Sequence, residues 1–152
     1  MNAWEMLLQN QVLLSAAAGW FVAQVLKTLI HTVLTKSFDA ERLVGSGGMP
    51  SSHSATVCAL ATSAAVVYGL DSFEFAIASI FAFIVMYDAM GVRLETGKQA
   101  KIINDLVATF KTLEGTSLSK LSADKLKEFV GHTPLQVLVG AALGILIGIL
   151  LN

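Results

Sequence analysis

The chain has 152 residues, 55% of them hydrophobic and only 14% charged, with a net charge of −1. Soluble domains carry roughly 25% charged residues, so the composition argues against a water-soluble globule, with a fully buried soluble helical bundle as the competing reading. A near-neutral chain offers no basic field for nucleic acid, and the single cysteine, Cys58, excludes an intramolecular disulfide.

Four apolar stretches lie at about 12–35, 54–70, 73–90 and 135–151. They predict one all-α domain over 1–152, a polytopic membrane bundle of about four transmembrane helices. A spanning helix needs about 20 apolar residues, with a lower limit near ~17. The last three stretches sit at that limit, which suits a thinned bilayer or partial embedding in neighbours. The first Lys is residue 27, so the N-terminus lacks the basic start of a cleavable signal.

The first stretch carries a polar stripe. Gln24, Lys27, Thr28, His31 and Thr35 recur at spacings of three and four and share a face. Lys27 either snorkels to the interface or faces the bundle interior, and its depth favours the interior. His31 reads as a structural or pocket-lining residue. The loop at about 36–53 holds Lys36, Arg42 and the segment GGMPSSHS. Ser51 or Ser52 is the expected N-cap of the second helix, with His53 in its first turn. Leu70-Asp71-Ser72 joins the second and third helices into an antiparallel hairpin, and Asp88 lies near the far end of the third.

The long loop at about 91–134 is expected to be partly helical. Ile102, Ile103, Leu106, Val107, Phe110 and Leu113 follow helical spacing, which reads as an amphipathic helix over 98–113 on the membrane surface or against the bundle. A second short helix is expected over 122–130, stopped by Gly131. Thr133 and Pro134 then start the last helix as N-cap and first helical residue. That helix carries Gly140, Gly144 and Gly148, a small-residue stripe for close packing within the bundle or against a second copy.

Charge sets the topology. Lys and Arg crowd the two loops and avoid the short turn and both ends, so both loops should be cytoplasmic and both termini external, in the plasma membrane. The segments that look chemical share those loops. Helix N-termini attract phosphate through free N–H groups, and glycines such as Gly48 let backbone approach an oxyanion. Arg93, Arg42 and Lys98 supply cations. Two histidines beside such a site, His53 and His132, fit phosphoryl transfer through a phosphohistidine, one attacking phosphorus and the other protonating the departing oxygen. Asp88 and Glu128 are candidate carboxylates to orient them.

Residues 47–55 (GGMPSSHSA), 88–100 (DAMGVRLETGKQA) and 131–137 (GHTPLQV) together resemble the divergent branch of the type 2 phosphatidic acid phosphatase superfamily, which also contains vanadium-dependent haloperoxidases. The resemblance runs along nearly the whole chain. It implies a phosphatase acting on a lipid phosphate monoester or pyrophosphate, with lipid as substrate and surroundings, and no cofactor. Pro50-Ser51-Ser52-His53 matches the parent's Pro-Ser-Gly-His except for Ser in place of Gly. The match gives His53 the acid role and Ser51 and Ser52 phosphate contacts. Lys36 and Arg42 correspond imperfectly to the parent's first motif, and Lys27 can stand for its lysine. The parent's third motif has no continuous counterpart. Arg93 stands for its arginine and His132 for its nucleophile, with Gly48, Lys98, Gln99 and Thr133 completing the phosphate site. Two alternatives remain: a Mg²⁺-dependent carboxylate site, and a non-catalytic binder or transporter of an anionic solute or lipid.

Overall fold

The computed structural model describes residues 2–38, 48–113 and 133–152. They form six helices in chain order: α1 (Ala3–Leu8), α2 (Gln11–Thr35), α3 (Ser52–Tyr68), α4 (Phe73–Met90), α5 (Val92–Leu113) and α6 (Pro134–Leu150). Short polar side chains start them. Asn10 accepts from the Leu13 N–H, Ser51 from Ser54, Ser72 from Phe75 and Thr133 from Gln136, each supplying an acceptor to a backbone donor that lacks an intrahelical carbonyl. Gln136 returns a bond to the Thr133 N–H, closing a capping box, and Pro134 occupies the first turn.

Two elements differ from expectation. The six-residue α1 has no counterpart among the expected elements; it is started by a capping box between Asn2 and Glu5. The amphipathic helix begins at Val92 rather than at 98, so α4 and α5 are separated only by Gly91, whose N–H still donates to the Tyr87 carbonyl. Among the described residues two helical runs are long and apolar enough to cross a membrane alone, Gln11–Thr35 and Phe73–Thr109, where the sequence leads one to expect four. The others fall short by length. α3 and α6 have 17 residues each, about 25 Å at ~1.5 Å per residue, against a hydrocarbon core of about 30 Å. The helix expected over 122–130 lies outside the described residues.

The interior is inverted relative to a soluble protein. The fully buried side chains of greatest volume are serines, Ser15, Ser51, Ser54 and Ser63, and the buried apolar residues are mostly alanines. Trp20, Phe21, Leu29, Phe83, Ile84, Leu138 and Leu146 all face outward. In water such a surface would drive aggregation. In hydrocarbon it is the favourable arrangement, with small and hydroxyl-bearing residues at the helix contacts. The chain is a helical membrane protein.

α3 is the central helix, packed against α2, α4 and α6. A Cβ added at Gly19 of α2 would stand 2.8 Å from the Ala55 carbonyl oxygen, and one at Gly144 of α6 would stand 2.3 Å from the same atom. Two backbones therefore close on one peptide of α3 from different sides. Gly140 faces Ser51, and Gly148 faces Thr62 and Ala59, so α6 runs parallel to α3. The glycine stripe meets α3 of its own chain. α2 runs antiparallel to α3: Lys27 lies at Gly48 and Gly19 at Ala55–Ala59, with Ser15 near Ser63 through Asn152. The Asn152 amide donates to Ser15 Oγ at 3.1 Å and to the Gly148 carbonyl at 2.8 Å, and its Oδ1 accepts from Ser63 Oγ at 3.1 Å. One side chain so ties α2, α3 and α6 at the end away from His53.

Candidate functional site

The candidate site is built on the start of α3. Pro50 turns the chain into the helix, and Ser51 caps it. Ser51 Oγ accepts from the Ser54 N–H at 3.3 Å and from Ser54 Oγ at 3.0 Å. The Ser51 N–H donates to the Gln136 carbonyl of α6 at 3.1 Å, which fixes this turn against the first turns of α6. Ser51, Ser52 and Ser54 are all buried, and His53 is half-buried between them. The first N–H groups of a helix have no intrahelical acceptor and carry the positive end of its dipole, so the buried serines frame an electropositive helix start.

Lys27 of α2 enters this region from the side. It is 3% exposed, which decides between the two readings of the sequence: the side chain is interior. Its Cγ and Cδ each lie 3.0 Å from where a Gly48 Cβ would stand, and Gly48 has φ +86°. Glycine fits there twice over, in a left-handed conformation and with no side chain where the lysine stem passes. Lys27 stands eight residues before the end of α2 at Thr35, about 12 Å along the axis. The start of α3 is therefore sunk below the end of α2.

Asp88 comes toward the same end of the bundle from α4. Cys58 Sγ of α3 lies 3.8 Å from Met86 Sδ of α4, and α3 and α4 are antiparallel, so Asp88 is level with Ala55 and Thr56. Lys27, His53 and Asp88 each make interactions of their own within the protein. The fold thus places Lys27, Gly48, Ser51, Ser52 and His53 around the start of α3, with Asp88 deeper in the bundle at the level of Ala55 and Thr56. Chemically, a buried ammonium and a helix N-terminus favour an anion, and an imidazole beside them can move a proton to or from it.

Other residues singled out from the sequence fall elsewhere. Thr133 is exposed, and its hydroxyl and N–H are both committed to the capping box. It stands seven residues before Gly140, the residue level with Ser51, about 10 Å along the helix. Lys98 is exposed and ion-paired with Glu95, and Gln99 is exposed on α5. Among the described residues α5 packs only against α4. Arg93 belongs to the first turn of α5, and its side chain lies outside what is described. Arg42, Glu128 and His132 lie outside the described residues. No group of three His, Cys, Asp or Glu positioned to hold a metal occurs among the described residues. Sequence reasoning missed Ser54, whose hydroxyl braces Ser51; its signal was its place three residues after the cap.

A groove of about 430 Å³ between α2, α3 and α4 is lined by Leu13, Leu60, Tyr68, Phe73, Ile77 and Phe81 among others. It lies at the opposite end of the bundle from His53 and contributes nothing to the candidate chemistry.

The family described as "Divergent PAP2 family" matches residues 8–147 of this chain. A Bacillus subtilis (strain 168) protein named "Uncharacterized membrane protein YuiD" is 43% identical over 151 residues, covering 95% of this chain and 96% of that one. No solved structure matches.

Proposed function

This chain belongs to the divergent PAP2 family, and on that premise we propose that it is a membrane-embedded phosphatase that hydrolyses a lipid phosphate monoester or pyrophosphate. The observation that carries the reading is the buried Lys27, laid across Gly48 at the N-terminus of α3, whose first turn holds His53. A cation kept inside a membrane protein has an anionic or oxygen-rich counterpart as its usual reason, and the serine-framed helix start is a phosphate-binding arrangement.

In this reading Lys27, Ser51, Ser52 and the first N–H groups of α3 hold the phosphate, with Gly48 admitting it to the backbone. Arg42 and Arg93 add charge from the adjoining segments. His132 attacks phosphorus, the P–O bond to the lipid breaks, and His53 gives its proton to the departing oxygen. Water then hydrolyses the phosphohistidine, releasing inorganic phosphate. Asp88 and Glu128 orient the imidazoles. α2, α3, α4 and α6 together form the four-helix membrane unit, the shorter α3 and α6 being flanked by the longer two. The whole chain is one domain in a bacterial plasma membrane, with its basic loops cytoplasmic and its termini external.

The test is phosphate release from lipid phosphates by the purified protein in detergent. Wild type should release phosphate, and His53→Ala should lower the rate by about 10²- to 10⁴-fold, the usual worth of a general acid. Equal rates for the two proteins would end the proposal. Binding of the lipid without any turnover would favour a non-catalytic role for the same anion site.

A further inference from the structure

Of the α2 polar stripe the proposed chemistry uses only Lys27, and Gln24 is left with an unmet bond. Gln24 is 4% exposed, and its Oε1 has no hydrogen-bond partner. The nearest hydroxyl on its own helix is otherwise engaged: Thr28 Oγ1 donates to the Gln24 backbone carbonyl at 2.9 Å. A buried acceptor without a donor opposes folding, and more so where the surroundings are hydrocarbon and cannot repair the loss.

Its position gives that acceptor a use. Gln24 stands one helical turn from Lys27 and Thr28, and all three are buried while Leu26, Leu29 and Ile30 face outward. Gly19 is level with Ala55–Ala59. Five residues further along antiparallel α2, Gln24 is therefore level with Ser51 and Ser52 at the start of α3. Lys27 lies about 4.5 Å nearer the end of α2. On the phosphatase reading, a phosphate held beside Lys27 would bring its ester oxygen and the first carbons of its lipid to the depth of Gln24.

Resting on the phosphatase reading of this site, we propose that Gln24 determines specificity by accepting a hydrogen bond from a free hydroxyl on the lipid carbons nearest the phosphate. The substrate class is a hydroxyl-bearing lipid phosphate, in its simplest form a monoacylglycerol phosphate. Ester carbonyls and plain methylenes have no proton to offer Oε1, so a lipid with either at that place leaves the amide oxygen unpaired in the complex as in the free protein.

The experiment compares monooleoylglycerol phosphate with its deoxy analogue, identical except for hydrogen in place of the free hydroxyl, and with dioleoylglycerol phosphate. Phosphate release by wild type should favour the hydroxyl-bearing lipid over the deoxy analogue by roughly ten- to a hundredfold in kcat/KM. Gln24→Met keeps the length of the side chain and removes the acceptor. It should lower kcat/KM for the hydroxyl lipid alone and bring the two substrates together. The wild-type comparison stands without the variant, so a poorly folding Gln24→Met does not decide the matter. Equal treatment of the two lipids by wild type overturns the proposal, as does a preference for the diacyl ester, which would mean that the amide donates. An equal loss on both lipids in Gln24→Met would place the donor on the phosphate itself and likewise overturn it. Absence of phosphate release from every lipid would refute the phosphatase reading, and binding of the same lipid pair to wild type would then decide the role of Gln24 separately.

Discussion

Gly140→Ala offers a sharp perturbation of this site because the contact it disturbs is with Ser51 itself. The added Cβ would stand 2.4 Å from the Ser51 carbonyl oxygen and 3.1 Å from its Cβ and N. Comfortable heavy-atom contact begins near ~3.5 Å, so α6 and the start of α3 must part by roughly 1 Å. That strains the bond from the Ser51 N–H to the Gln136 carbonyl and shifts the cap from which His53 projects. Overpacking of this kind costs about 1–3 kcal/mol, and a ~1 Å misplacement of catalytic groups costs about 10²-fold in rate. Gly148→Ala is the matched control: its Cβ meets Thr62 Cβ at 2.7 Å and the Ala59 carbonyl at 3.0 Å, at the end away from His53. Thermal unfolding in detergent should fall for both variants. Phosphate release per folded molecule should fall for Gly140→Ala and hold within about threefold of wild type for Gly148→Ala, a difference of under ~1 kcal/mol. Equal activity losses in the two variants, or an unshifted unfolding temperature in Gly140→Ala, would refute the reasoning.

Three further outcomes follow from the same geometry. Lys27→Met should raise KM for a lipid phosphate by roughly ten- to a hundredfold, the worth of a hydrogen bond to a charged group; an unchanged KM would remove Lys27 from the anion site. Asn152→Ala removes the three bonds that join Ser15, Ser63 and the Gly148 carbonyl. It should lower stability by about 1–3 kcal/mol, since buried hydroxyls lose partners, while leaving phosphate release per folded molecule intact; normal unfolding in detergent would contradict this. Phosphate release should persist in strong chelator, because Lys27 and the α3 N-terminus supply positive charge without an ion; loss on chelation and return with Mg²⁺ would revive the carboxylate–metal alternative.

Much of the fold was legible because its punctuation is local. Apolar runs bounded by Asn10, Ser51, Ser72 and Thr133 gave the starts of α2, α3, α4 and α6 to within about two residues, the usual latitude of helix ends. α1 escaped because six residues are too few to display a period. The start of α5 escaped because Gly91 reads as a stop in sequence, whereas in the structure it keeps right-handed helical dihedrals and its hydrogen bond to Tyr87. The stripe Gly140–Gly144–Gly148 announced a close approach but not its partner, since small residues permit contact without choosing what is contacted. At the site, the shared side of Pro50–His53 and Asp88 was legible from helix order. The pairing of Lys27 with Gly48 was not, because the residues that meet are 21 apart and no local spacing rule joins them. Thr133 was expected both to cap the last helix and to contact phosphate, and Lys98 to contact phosphate. The structure shows Thr133 in its cap and Lys98 paired with Glu95, both local partners that compete with any ligand.

The exchange of inside and outside has a consequence for which mutations this protein can absorb. Where α2 and α6 press on the Ala55 peptide there is no room for a methyl group, and the hydroxyls deeper in the bundle already interlock, so growth in side-chain size is the damaging direction there. On the outer faces of α2, α4 and α6 the surrounding acyl chains conform to whatever hydrocarbon is presented, and Leu, Ile, Val and Phe are close to interchangeable. Random substitution would thus leave a record opposite to that of a soluble enzyme: freedom among bulky apolar residues at the periphery, and near-fixed identity for the smallest residues at the centre.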